Sequence, residues 1–143
     1  MAYAKALPGE FIRVSTNGIT EPYWEGTKQG KLLAARCANC GHFRLPPSAF
    51  CPQCLAKTID WVELKTHGIV YSFTICTRSP FREVPDFTFI PVLVEFGEAP
   101  GIRFAGNLID IDTKDVRIGM NVETGWTKTK DGWGVPVFRP VKG

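Results

Sequence analysis

Cys37-Ala38-Asn39-Cys40 and Cys51-Pro52-Gln53-Cys54 are two C-x-x-C pairs with ten residues between them. A C-x-x-C turn lets two thiolates face one centre, and two such turns complete a tetrahedron. Zinc prefers that arrangement, with Zn–S bonds of about 2.3 Å. Gly41 follows the first pair and Pro52 sits inside the second, residue types that suit turns aiming amides and sulfurs at a metal. The pairs read as two knuckles of one zinc ribbon, with Cys37, Cys40, Cys51 and Cys54 as ligands. Four sulfurs leave no position for water, so the expected role of the zinc is structural. A disulfide pair or a redox C-x-x-C competes with this reading. Two redox motifs so close together would be odd, and no secretory segment favours disulfides.

Around the ribbon, 143 residues suffice for one domain of ordinary size or two small ones. The 44% hydrophobic content supports a substantial core, and fourteen glycines and eleven prolines favour short strands and turns over long helices. The formal charge is +3; four thiolates and one Zn²⁺ together add −2, leaving +1. Residues 1–64 carry seven Lys/Arg against five Asp/Glu, and residues 65–143 carry ten against nine, so no tract is marked out for polyanions. Met1–Lys5 lacks the apolar core of a secretion signal, and no apolar run approaches the ~18 residues of a membrane span. The expectation is a soluble, cytoplasmic protein without a membrane partner. Cys76, the fifth cysteine, lies in an apolar strand pattern and is expected as a buried small hydrophobe.

Along the chain, residues 1–18 are broken by Pro8-Gly9 and Asn17-Gly18 and read as an arm that orders against something else. Residues 20–30 read as a short helix, with Thr20 as N-cap, Pro22 in the first turn and Gly30 after the last. Its Tyr23, Trp24 and Thr27 share a face that either packs on the rest of the chain or docks on a partner. Leu32–Arg36, Phe43–Leu45 and Ile59–Leu64 are the ribbon strands; His42 is expected on the surface. Beyond His67-Gly68, strand patterns cover Ile69–Cys76, Ile90–Phe96, Ile102–Asp112, Met120–Trp126 and Gly134–Phe138. Gly106-Asn107 allows a bulge or kink in the third, and Lys114–Ile118 a short link after it. Five strands with such an insert fit a small Greek-key barrel of the OB type better than a sandwich, which usually needs about seven. The fold class is therefore mainly β: an N-terminal arm and helix over 1–30, a rubredoxin-like zinc ribbon over 31–64, and a five-stranded OB-fold barrel over 65–143.

No catalytic constellation or phosphate-cradling glycine motif is evident. Asp110 and Asp112 share a strand face, which more often marks a turn or a solvated edge than acid–base chemistry. Arg78-Ser79-Pro80-Phe81-Arg82 forms a loop at the barrel mouth. Guanidinium forks suit phosphate and an aromatic face suits a base ring, so Arg78, Phe81 and Arg82 would fit a nucleotide-containing ligand. The competing reading is a loop packed on its own domain.

Pro22-Tyr23-Trp24-Glu25-Gly26, Gly30-Lys31-Leu32-Leu33 and Arg36-Cys37 open a pattern that continues with Gly68–Thr74, Gly106-Asn107-Leu108 and Val116–Met120 with Val122. The combination resembles the zinc-ribbon plus OB-fold family catalogued as a domain of unknown function, number thirty-five, over residues 19–140. The resemblance implies a non-catalytic partner of acyl-CoA enzymes: thiolases, steroid side-chain aldolases and hydratases, and hydroxymethylglutaryl-CoA synthase. It implies a chain that sits against its partner and helps to enclose coenzyme A, in lipid or steroid metabolism. By analogy Tyr23 and Trp24 belong to a docking surface, and the four cysteines map directly onto the metal ligands. Arg78 and Arg82 near the CoA phosphates follow from chemistry alone.

The expectation is thus an accessory subunit that binds an acyl-CoA thioester and a thiolase-type enzyme and does not turn over substrate alone. A single-stranded nucleic-acid-binding module is the alternative, since ribbons and OB barrels both bind nucleic acids. It requires a basic groove with exposed aromatics, which the even charge distribution disfavours. A stand-alone enzyme using His67, Asp110 or Asp112 has no support in the spacing.

Overall fold

A computed structural model describes residues 3–142. The chain runs through β1 (Tyr3–Ala4), a 3₁₀ turn (Gly9–Phe11), α1 (Glu21–Lys28), β2 (Leu32–Cys37), β3 (Phe43–Arg44), β4 (Ile59–Leu64), β5 (Gly68–Phe73), β6 (Ile90–Glu95), β7 (Phe104–Leu108), β8 (Ile111–Asp112), a second 3₁₀ turn (Thr113–Asp115), β9 (Asn121–Lys128) and β10 (Gly134–Pro140). The ribbon sheet has the order β3-β2-β4, and β10-β7-β6-β5-β9 close into a barrel. The mainly β architecture, with one helix, a ribbon and a five-stranded barrel, agrees with the sequence. Among the described residues no helix is long and apolar enough to cross a membrane.

Alternation builds the barrel. Val70, Ile90, Val92, Val94, Phe104, Leu108, Val122 and Phe138 point inward and are buried, while Ile69, Tyr71 and Leu93 between them face out. Closure comes from a parallel pairing of β7 with β10, Val137 opposite Asn107 and Phe138 opposite Leu108. Gly106 makes the closure possible: a Cβ there would lie 2.8 Å from the Phe138 ring and 3.2 Å from the Pro136 carbonyl oxygen. The β6–β7 register runs through Gly106 without a shift, so this glycine serves close approach and not a bulge. The bulge lies instead in β5, between Val70 and Ser72.

The expected third strand is interrupted. Asp110 adopts φ +58°, a conformation unfavourable to most side chains, and turns the chain out of the barrel. Beyond it β8 pairs with β1, and the Asp110 N–H donates to the Ala4 carbonyl at 3.1 Å. The arm therefore orders on its own barrel, with Ala4 fully buried. The first barrel strand also stops early, at Phe73. Cys76 is half-buried and joined to Phe89 by two backbone hydrogen bonds, which corrects the expectation of a buried cysteine within the strand.

α1 is fastened to the barrel by Thr27. Its buried hydroxyl donates to the Trp24 carbonyl at 2.6 Å and accepts from the Gly134 N–H at 3.0 Å. Thr20 stands at the N-cap but makes no cap bond to the helix; Asn17 Oδ1 accepts from the Ile19 and Thr20 N–H groups and organises the entry instead. Pro22 and Gly30 take the expected places, Gly30 at φ +71°. Leu32, Ala34 and Leu64 of the ribbon strands join the barrel's core cluster. At the connection, the Glu98 carboxylate accepts from the Lys65 and Thr66 N–H groups and from the Thr66 hydroxyl at 2.6 Å. The Thr66 hydroxyl leads these donors in holding Glu98 below its ordinary value.

Candidate metal centre and adjoining groove

The two knuckles repeat one backbone design. Cys37 ends β2, its N–H donates to the His42 carbonyl at 2.8 Å, and the Gly41 N–H returns to the Cys37 carbonyl at 3.0 Å. In the second knuckle the Cys51 N–H donates to the Ala56 carbonyl and the Leu55 N–H to the Cys51 carbonyl, both at 2.9 Å. The residue four after the first cysteine is left-handed in each: Gly41 at φ +79° and Leu55 at φ +65°. Only the first carries the glycine that such a turn favours.

The four sulfurs all lie within 4.8 Å of one another, with Cys37–Cys54 at 3.5 Å and Cys40–Cys51 at 3.6 Å. Sulfurs tetrahedrally bound to one zinc would stand about 3.8 Å apart, given Zn–S of about 2.3 Å. The Cys40 N–H points at the Cys37 sulfur and the Gln53 N–H at the Cys51 sulfur, as thiolate acceptors require. A hydrogen bond from the Cys40 backbone N–H is the main cause that takes Cys37 down to about 6, and the Asn39 amide lowers Cys54. Cys40 moves up to about 12: the His42 N–H pulls it down, but desolvation and the sulfurs of Cys51, Cys54 and Cys37 outweigh it. Four crowded thiolates do not all form unaided, and a dication resolves the conflict. The donor set fits zinc, held by Cys37, Cys40, Cys51 and Cys54 in a closed structural site. His42 is half-buried and outside this cluster.

Beside the ribbon lies a groove of about 670 Å³. Its walls are Leu7 and Ile12 of the arm, Tyr23 and Trp24 of α1, Leu45–Pro47 after β3, Arg103–Asn107 along β7 and Val135–Val137 on β10. Tyr23 and Trp24 meet edge to face at 5.0 Å, both half-buried, so their face packs on the chain and lines the groove at once. Desolvation pushes the Tyr23 phenol up to about 12. Arg103, which sequence reasoning missed, stacks over Tyr71 at 3.8 Å, and its Nε donates to Glu95 at 3.1 Å. The signal available for it was the outward parity of Arg103, Ala105 and Asn107 against buried Ile102 and Phe104.

Arg78, Phe81 and Arg82 are exposed on the long β5–β6 loop and line neither this groove nor the smaller cleft at Lys65–His67. Phe81 leans on buried Phe87 at 6.4 Å, which joins that loop to itself. Asp110 and Asp112 are held structurally: Asp110 pairs with Arg139 at 3.3 Å, and Asp112 caps the second 3₁₀ turn through the Lys114 N–H.

Residues 24–60 match the family model described as "ChsH2, rubredoxin-like zinc ribbon domain", and residues 61–127 match "ChsH2, C-terminal OB-fold domain". A "DUF35 domain-containing scaffold protein" of Methanocaldococcus jannaschii is 31% identical over 101 residues, which cover 70% of each chain. The chain belongs to the DUF35 family. A "Probable enoyl-CoA hydratase alpha subunit" of Thermomonospora curvata is 35% identical over 119 residues, or 83% of this chain, which spans 36% of that relative's length. The solved "Ltp2-ChsH2(DUF35) aldolase" superimposes with a TM-score of 0.79 at 33% identity, covering 90% of this chain and 98% of that one. A DUF35 protein of unknown function from Sulfolobus solfataricus shares the fold, with a TM-score of 0.64 at 21% identity over 88% and 87% of the two chains.

Proposed function

We propose that this chain is a non-catalytic accessory subunit that docks on a thiolase-type partner, a condensing, aldolase or hydratase enzyme, and helps it to hold an acyl-CoA thioester. The observation that carries the reading is the match, over nearly all of that chain's length, to the DUF35 subunit in the Ltp2-ChsH2(DUF35) aldolase. The names of the relatives, a hydratase subunit and scaffold proteins, support it. So does a groove whose walls are mostly apolar.

In this reading zinc makes the ribbon rigid and takes no part in the reaction. Helix, ribbon and barrel together present the docking surface, with Tyr23 and Trp24 at its edge. The β5–β6 loop corresponds to the first loop of an OB fold, a common ligand-binding position. Arg78 and Arg82 are assigned there to the CoA phosphates and Phe81 to the adenine face. Acyl-CoA binding is tested by calorimetry of the chain with its partner, titrated with an acyl-CoA thioester. R78A/R82A together should weaken binding at least tenfold and leave the complex intact; unchanged affinity would remove these residues from the site.

A further inference from the structure

Arg44 is the one residue of the ribbon whose burial its described surroundings do not explain. It is 5% exposed, and both Nη atoms are buried without a hydrogen-bond partner. Its Nε donates to the Ser48 carbonyl at 3.1 Å, and among the described residues no carboxylate forms an ion pair with it. A guanidinium keeps its charge when buried, and an uncompensated buried cation is costly. Both Nη atoms are closed to solvent.

The register sets Arg44 on a face that carries a metal ligand. Arg44 stands opposite Ala35, and Cys37 is two residues farther along the same strand. Residues two apart on a strand share a face, and directly opposed residues share it too. Arg44 and Cys37 therefore belong to one face of the β3–β2 ladder. Ser48, which the guanidinium bonds, precedes Cys51 by three residues. Arg44 thus ties the strand that supplies one ligand to the loop that supplies another. A zinc held by four thiolates carries net charge −2, in a site where Cys37 and Cys51 are themselves buried.

We infer that Arg44 is the internal counter-charge of the metal centre: a positioning residue whose buried guanidinium offsets the surplus negative charge of the zinc–thiolate cluster. Its role is independent of the proposed partner and ligand, and the test uses this chain alone. Zinc affinity is measured by competition with a chromophoric chelator on the wild type, R44M, R44Q and R44K. The two neutral variants should bind zinc about tenfold to a hundredfold more weakly, the range for loss of an outer-sphere partner. R44K, which keeps the charge on a different head group, should stay closer to the wild type than to either. With cobalt in place of zinc, the thiolate charge-transfer bands should appear in R44M at correspondingly higher metal concentration. Wild-type affinity in either neutral variant would overturn the inference. Failure of the neutral variants to fold while R44K folds supports a requirement for charge; failure of R44K alongside them would reduce Arg44 to packing.

Discussion

The ribbon and the barrel solve the same problem by opposite means. The barrel buries a cluster that includes Ile90, Val92, Val94, Phe104, Leu108 and Phe138, and closes on itself so that no edge is left open. The ribbon strands add Leu32, Ala34 and Leu64 to that cluster, with Phe43 packed against it, and the two knuckles are fastened by four sulfurs. The barrel's stability is thus spread over many apolar contacts, and the ribbon's is concentrated at one point. The difference predicts which perturbations act locally and which act on the whole molecule.

The largest effect should come from the concentrated point. C37S/C40S should lose zinc and unfold residues 31–64, since structural zinc contributes on the order of 10 kcal/mol to small ribbon-like domains. The barrel should persist, so hydrogen exchange would show protection lost in β2 and β4 and kept in β6 and β7. Loss of protection in both regions at once would end the contrast. In the barrel, G106V forces a side chain against Phe138 and the Pro136 carbonyl. Overpacking there should cost about 1–3 kcal/mol in chemical denaturation and leave zinc affinity unchanged.

Within the ribbon the knuckles sharpen the comparison. Nothing lies within 4 Å of a Cβ built on Gly41, so G41A tests backbone conformation alone and should cost about 1 kcal/mol. L55G should raise stability by a similar or smaller amount, because Leu55 holds the left-handed position while its side chain is 72% exposed. The smallest effect belongs to the junction. E98Q should cost about 1 kcal/mol near neutral pH by weakening the grip on Lys65 and Thr66. Because folding lowers the Glu98 pKa, its contribution is present above the unfolded carboxylate value and fades as pH falls through the folded one. The wild-type advantage over E98Q should therefore shrink in acid below the usual carboxylate range.

The same contrast explains what the sequence could reveal. Cysteine spacing and strand alternation are local signals, and they made the ribbon, the barrel and the four ligands legible. Pairings between distant short segments carry no local signal, which is why the β1–β8 ladder and the break at Asp110 were not anticipated. Gly106 was visible as an exception within a strand, but its purpose depends on Phe138, thirty-two positions away. Arg103 stayed hidden because its stacking on Tyr71 and its place in the groove exist only once β5, β6 and β7 are side by side. Leu55 gave no warning either, since nothing in its identity announces a left-handed backbone.

The most direct test of the account is turnover of an acyl-CoA thioester by a purified thiolase-type partner, assayed with and without this chain. The account predicts no turnover by the chain alone and a gain in activity or stability of the partner when the two are combined. Turnover by the chain alone, or a partner fully active and equally stable without it, would contradict the accessory role.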